Sequence, residues 1–223
     1  MTNKSLQTLL IKPSSADCDL NCSYCFYLDK AALYPIEKAN RISENVLEEL
    51  VKQAMFKSDQ SIGMVWQGGE PTLMGLNFFK RIIELQLRHG KNITIANILK
   101  TNSLLLNAKW ADFLAEYHFL VGISIDCPQH VHDNFRKDKA GKGTWERVFR
   151  NTKLLLERKI AVNSLTCVTN YSAKYPEEIY GFLYRIGFNN MQFIPVVETD
   201  KEDMDKVADF SASAKEFDFN AKF

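Results

Sequence analysis

Cys18, Cys22 and Cys25 crowd into "CDLNCSYCFY", with three residues in the first gap and two in the second. A closed tetrahedral zinc site or an ordinary iron–sulfur site takes four protein ligands. Three thiolates on a four-iron cluster would leave one iron open to a further ligand, and an open iron beside a pocket points to chemistry rather than structure. A zinc ion completed by Cys127, Cys167, His89, His118, His130 or His132 is the alternative, although none of these lies at normal zinc-ligand spacing. Tyr24 and Phe26 flank Cys25 and could pack beside a cofactor.

The elements that must position these cysteines alternate between two patterns. "TLLIKP", "IGMVWQ", "NITIANILK", "FLVGISID", "IAVNSLTCV" and "NMQFIPVV" read as buried strands. Between them lie helical patterns: "SENVLEELVKQAMF" with Ser43 as N-cap, "LNFFKRIIELQLRHG" stopped by Gly90, and "NAKWADFLAEYH". "TWERVFRNTKLLLERK", with Thr144 at its start, and "YPEEIYGFLYRIG", stopped by Gly187, complete the set. Strand–helix alternation implies an α/β fold of parallel strands joined by right-handed crossovers. Periodicity leaves an open doubly wound sheet and an incomplete barrel equally possible. In both, ligands bind at the carboxyl ends of the strands, which is where the cysteines fall.

The wider composition is consistent with such a domain. The chain has 223 residues, 46% of them hydrophobic, and a formal net charge of +1, so nothing sequence-wide points to nucleic acid or a membrane surface. The five cysteines are odd in number and clustered, which argues for a reducing compartment. The apolar run Leu9–Ile11 is too short for a signal peptide or a membrane span, so the expected location is the cytoplasm. Residues 198–223 turn polar and charged, and are read as a tail following a core of residues 1–197.

Cys-x3-Cys-x2-Cys with aromatics around its last cysteine resembles the signature of the radical S-adenosylmethionine enzymes, and within them the anaerobic sulfatase-maturating enzymes. The matching pieces run in order: "IKPSSADCDLNCSYCFYL", "WQGGEPTLMGLNFF", "TNSLLL", "FLVGISIDCPQHVHDNFRKDKAGKGTW" and "QFIPVVE". The resemblance implies a partial (β/α)6 barrel of about six parallel strands with helices outside. It implies that Cys18, Cys22 and Cys25 hold a [4Fe–4S] cluster whose open iron takes the amino and carboxylate groups of S-adenosylmethionine. It places Tyr24, Gly69, Ser124, Arg136 and Val197 around that cofactor, Gly69 through the Gly-Gly-Glu-Pro segment. The family reaction, driven by a reducing electron donor, oxidises a cysteine or serine of a sulfatase peptide to formylglycine. Asn102 also ends a strand at the same mouth, as either a polar contact or a turn residue.

Two positions depart from the family pattern: Ser103 and Cys127 stand where glycine is usual. If glycine is needed at Cys127 for a positive φ, the turn there would be strained. Full-length members also continue into a cysteine-rich region that carries two further clusters and a catalytic aspartate. Outside the first motif this chain has only Cys127 and Cys167. The reading is therefore a radical-generating core with no catalytic residue identified within it. A non-catalytic iron–sulfur or S-adenosylmethionine-binding remnant is the other function class.

Overall fold

The computed structural model describes residues 5–31, 40–199 and 206–213. Six strands form one parallel sheet in sequential order: β1 (Thr8–Ile11), β2 (Ser61–Trp66), β3 (Thr94–Thr101), β4 (Leu120–Ser124), β5 (Val162–Val168) and β6 (Met191–Pro195). Among the described residues, seven α-helices accompany them: α1 (Tyr27–Ala31), α2 (Glu44–Lys57), α3 (Leu76–His89), α4 (Ala108–Glu116), α5 (Gln129–Phe135), α6 (Trp145–Glu157) and α7 (Pro176–Ile186). Neighbours run in step, for example Leu9 opposite Met64 and Ser124 opposite Leu165. Sequential order with crossovers of one hand puts the helices on one face, and the sheet curls around the other. The incomplete barrel is the architecture observed, with β1 and β6 unpaired to each other.

The helical face carries the core. Trp66, Phe79 and Phe119 are almost wholly buried, and Phe79 meets the Trp110 ring edge-on at 5.2 Å. Each such ring contributes ~2–3 kcal/mol by burial. The polar atoms enclosed with them are paired: Trp66 Nε1 donates to Asn97 Oδ1 at 3.0 Å, and the Gln86 and Asn97 amides exchange bonds of 2.8 and 2.9 Å.

Caps follow local chemistry. Ser43 caps α2 by accepting from the Val46 N–H, and Gly187 ends α7 at a φ of +105°. Thr144 does not cap α6 with its side chain. Asp133 does so instead, its Oδ1 accepting from the N–H groups of Thr144 at 2.8 Å and Trp145 at 2.9 Å. The Thr144 hydroxyl is used elsewhere, donating to the Arg136 carbonyl at 3.0 Å.

The condition for strain at Cys127 is not met, since it has no positive φ; Ser103, the other position where glycine is usual, has a φ of 63°. Part of segment 198–223, read as a polar tail, is folded back onto the strand ends. Ala208 N–H donates to the Glu198 carbonyl and Ala212 N–H to the Val196 carbonyl, both at 2.9 Å, and Asn170 N–H reaches the Phe210 carbonyl at 3.2 Å. Residues 200–205 and 214–223 lie outside the described residues.

Candidate active site at the strand carboxyl ends

The loop after β1 carries the three cysteines across the sheet's carboxyl edge and is held from two sides. On one side, Gly69 N–H donates to the Ser15 carbonyl at 2.8 Å and Glu70 N–H to the Asp17 carbonyl at 2.7 Å. A Cβ on Gly69 would come within 2.1 Å of the Asp17 carbonyl oxygen. The glycine is therefore required by the approach of two backbones, whatever else binds there. On the other side, Asn21 N–H donates to the Lys137 carbonyl at 2.8 Å and Ser23 N–H to the Phe135 carbonyl at 3.2 Å.

Cys18, Cys22 and Cys25 line one cavity of about 300 Å³ together with Tyr24, Gly69, Ser124 and Arg136. Four of the five residues assigned to the cofactor by resemblance thus come together. Val197 does not join them, because its side chain is 67% exposed, while Val196 and Glu198 on either side line the cavity. Asn102 does face this mouth. Its Nδ2 lies 2.7 Å from Asp19 Oδ1 and 3.7 Å from Cys18 Sγ, which also accepts from the Leu20 N–H at 3.4 Å.

Burial pushes the Cys18 thiol up to about 12 and the Cys22 thiol up to about 11, the latter opposed by the charge of Arg136. Without a metal both are neutral thiols at neutral pH. A soft cation that displaces their protons would turn a poorly solvated pair into ligands, with N–H donors already aimed at Cys18. The donor set fits iron in a cluster. Among the described residues, no three His, Cys, Asp or Glu side chains converge on a single ion. Of the residues considered as zinc partners, Cys167 alone lines the cavity.

Two buried carboxylates organise the walls, and sequence reasoning singled out neither. Glu70 Oε1 accepts from the Thr72 N–H, Thr72 hydroxyl and Thr101 hydroxyl at 2.7–2.9 Å, and Oε2 from the Asn102 N–H at 2.7 Å. Burial raises its pKa despite these donors. Glu70 sits in the quoted Gly-Gly-Glu-Pro segment, so a signal existed. Asp126 follows β4 and accepts Arg136 Nε at 2.7 Å, Arg136 Nη2 at 3.4 Å, the Cys167 N–H at 2.8 Å and the Tyr24 hydroxyl. Burial alone would lower the Arg136 pKa, but Asp126 and, to a lesser extent, Tyr24, Cys167 and Cys22 together outweigh it, and the guanidinium stays charged. The guanidinium also stands 5.4 Å from the centre of the Tyr24 ring.

His132 supports this arrangement from α5. Its Nδ1 accepts the Asp126 N–H at 3.2 Å, which leaves Nε2 to carry the proton and donate to Thr144 Oγ1 at 3.1 Å. Burial depresses its pKa to about 4, helped by the charge of Arg136, so it is neutral.

Comparison with known proteins agrees with this geometry. The family model described as "Radical SAM superfamily" matches residues 13–183. A cysteine-type anaerobic sulfatase-maturating enzyme of Clostridium perfringens (strain 13 / Type A) is 40% identical over 188 residues, which are 84% of this chain and 51% of that protein. A serine-type anaerobic sulfatase-maturating enzyme of Bacteroides thetaiotaomicron is 36% identical over 85% of this chain and 46% of its own. The chain spans about half the length of the curated relatives it matches. A solved structure described as native anSMEcpe with bound AdoMet and Cp18Cys peptide superposes with a TM-score of 0.87 at 36% identity, covering 96% of this chain and 57% of that one. On its motif, its half-barrel and its family match, the chain belongs to the radical SAM superfamily.

Proposed function

We propose that this chain is a radical S-adenosylmethionine domain of the sulfatase-maturating type, in which Cys18, Cys22 and Cys25 hold a [4Fe–4S] cluster. The observation that carries this reading is the meeting of those three thiols with Gly69, Ser124 and Arg136 in one cavity. When bound, the reduced cluster supplies one electron to cleave S-adenosylmethionine into methionine and a 5′-deoxyadenosyl radical.

The chain's own residues bind, orient and exclude water. Arg136, fixed by Asp126, presents a cation suited to a carboxylate, and Ser124 adds a polar group at the end of β4. Gly68 and Gly69 keep the wall between the cysteine loop and β2 free of side chains. Tyr24 packs its ring beside Arg136 and lines the cavity. Leu165, Ile194 and Val196 supply the apolar part of the lining. The substrate of the reaction we propose is a sulfatase peptide whose cysteine or serine is oxidised to formylglycine, with a low-potential electron donor as second partner.

The departures from the family pattern do not favour a non-catalytic remnant. Ser103 and Cys127 are both fully buried, and neither lines the cavity. The test is anaerobic reconstitution with iron and sulfide, followed by dithionite and S-adenosylmethionine. We expect about four irons per chain, and 5′-deoxyadenosine among the products. A colourless protein with one zinc, or full iron loading with no 5′-deoxyadenosine, would refute the proposal.

A further inference from the structure

The loop after α5, "RKDKAGKGTW", begins with the buried Arg136, yet most of its charge faces solvent. Residues 137–143 form a closed turn. Lys137 and Gly143 pair across it as an antiparallel bridge, and Asp138 N–H donates to the Lys142 carbonyl at 2.9 Å. Asp138 Oδ1 accepts the Ala140 N–H at 3.0 Å and the Lys142 N–H at 2.9 Å. Gly141 makes the reversal at a φ of +77°. At its base the turn is fixed by Asp133, which abuts Gly143 so closely that a Cβ there would fall 2.3 Å from the carboxyl carbon.

Three lysines, Lys137, Lys139 and Lys142, stand exposed on this turn, and none forms an ion pair among the described residues. The neighbouring acids are already engaged: Asp133 caps α6, Asp138 holds its own turn, and Asp19 accepts from Asn102. Exposed Arg147 and Arg150 follow on α6, with one exposed acid, Glu146, beside them in sequence. A solvated run of lysines is the ordinary state of such a turn. What sets this one apart is its attachment. Lys137 C=O accepts the N–H of Asn21, one residue from Cys22, and Leu20 bridges to Asp138. The basic surface is thus one hydrogen bond and one residue away from a cluster ligand.

We propose that the 137–143 turn is the docking surface for an acidic one-electron carrier protein, which delivers its electron beside Cys22. This rests on the cluster assignment made under Proposed function. Charge complementarity selects the partner's surface, since opposed charges raise encounter rates by about 10–1000-fold at low salt. The backbone contact places that encounter at the cluster loop. The carrier loses one electron and the oxidised cluster gains it, with no bond made or broken.

The test uses the reconstituted full chain and, as probe, an acidic flavodoxin in its hydroquinone form. Cluster bleaching is followed by stopped flow in 50 and 300 mM salt. We expect the second-order rate to fall with salt, and to fall about 10-fold or more at low salt in Lys137→Glu/Lys139→Glu/Lys142→Glu. Lys139→Gln/Lys142→Gln, a milder change, should give an intermediate loss. Iron content and reduction by dithionite should change less than about 2-fold, since a small reductant needs no docking. Equal flavodoxin rates in parent and variants with full clusters would overturn the inference while leaving the cluster assignment standing. Failure of the parent to load iron would instead refute the cluster assignment. Binding of oxidised flavodoxin by the apo chain then still decides the surface: salt-sensitive affinity lost in the variants supports it, and unchanged affinity overturns it. Variants that lose binding to an RNA probe yet keep the flavodoxin rate would also overturn it, by showing the turn to be a nucleic-acid surface.

Discussion

Glu70 and Asp126 are both buried carboxylates behind the same cavity, and they are satisfied in opposite ways. Glu70 meets only neutral donors: two N–H groups and two hydroxyls from Thr72, Thr101 and Asn102. It joins the ends of β2 and β3 and presents no charge partner to the cavity. Asp126 meets a cation, Arg136, together with the Cys167 N–H and the Tyr24 hydroxyl. One wall is therefore a hydrogen-bonded brace. The other is a mounted positive charge, kept ionised by its counterion and turned to a site where a carboxylate is expected. Low dielectric makes both costly to disturb, but an orphaned charge costs more than an orphaned hydrogen-bond donor.

That ordering can be broken by mutation. Asp126→Ala strands Arg136, which is only 7% exposed, and should cost about 3–5 kcal/mol in urea unfolding. Glu70→Gln should cost less, about 1–3 kcal/mol, because two of its donors are hydroxyls that can turn to new acceptors. A larger loss from the Glu70 change would reverse the comparison.

Acid separates the walls a second way, ahead of the Glu70 substitution in size. A folded pKa of about 4 for His132, against 6.5 unfolded, favours the fold fully above pH 6.5, and this is lost as pH falls through 4. The loss amounts to ~3 kcal/mol. Glu70 runs the other way, since a raised carboxyl pKa favours the fold below its unfolded value of 4.5 and that contribution fades as pH rises through the folded one. His132→Gln should therefore flatten the fall in stability between pH 6.5 and 4. An unchanged slope would remove His132 from the Asp126 support.

The smallest effect is expected at Ser103. Its φ of 63° and a buried hydroxyl without a partner among the described residues both disfavour serine there. Ser103→Gly should raise stability by ~1 kcal/mol, the relief of the left-handed backbone exceeding the added freedom of the unfolded chain. A loss on thermal unfolding would show that the serine contributes something unseen.

The repeating frame was legible in the sequence because strand and helix patterns are set by burial, as in the buried run ending at Trp66 and the apolar stripe of α3. The cysteine loop was legible through spacing alone. The departures from pattern were read less well. Of the two positions where glycine is usual, Ser103 takes the left-handed φ and Cys127 does not, a difference set by where each turn closes and not by residue type. The helix α5 was missed because "QHVHDNF" has no apolar period, although it supplies His132, Asp133 and the end on which Arg136 sits. Asp126 and His132 carry no local signal, since their partners lie on other elements and only the fold brings them together. Gly69 was tied to a ligand, whereas its surroundings show a first requirement, the 2.1 Å approach to Asp17.

The most direct measurement is the electron paramagnetic resonance spectrum of the reduced, reconstituted protein, with and without S-adenosylmethionine. We expect the cofactor to change the cluster signal in the parent and in Glu70→Gln at similar concentrations, and Arg136→Ala to require at least about tenfold more, the loss of one charge-assisted contact. A fully loaded cluster whose signal ignores S-adenosylmethionine in the parent would contradict the cavity assigned here.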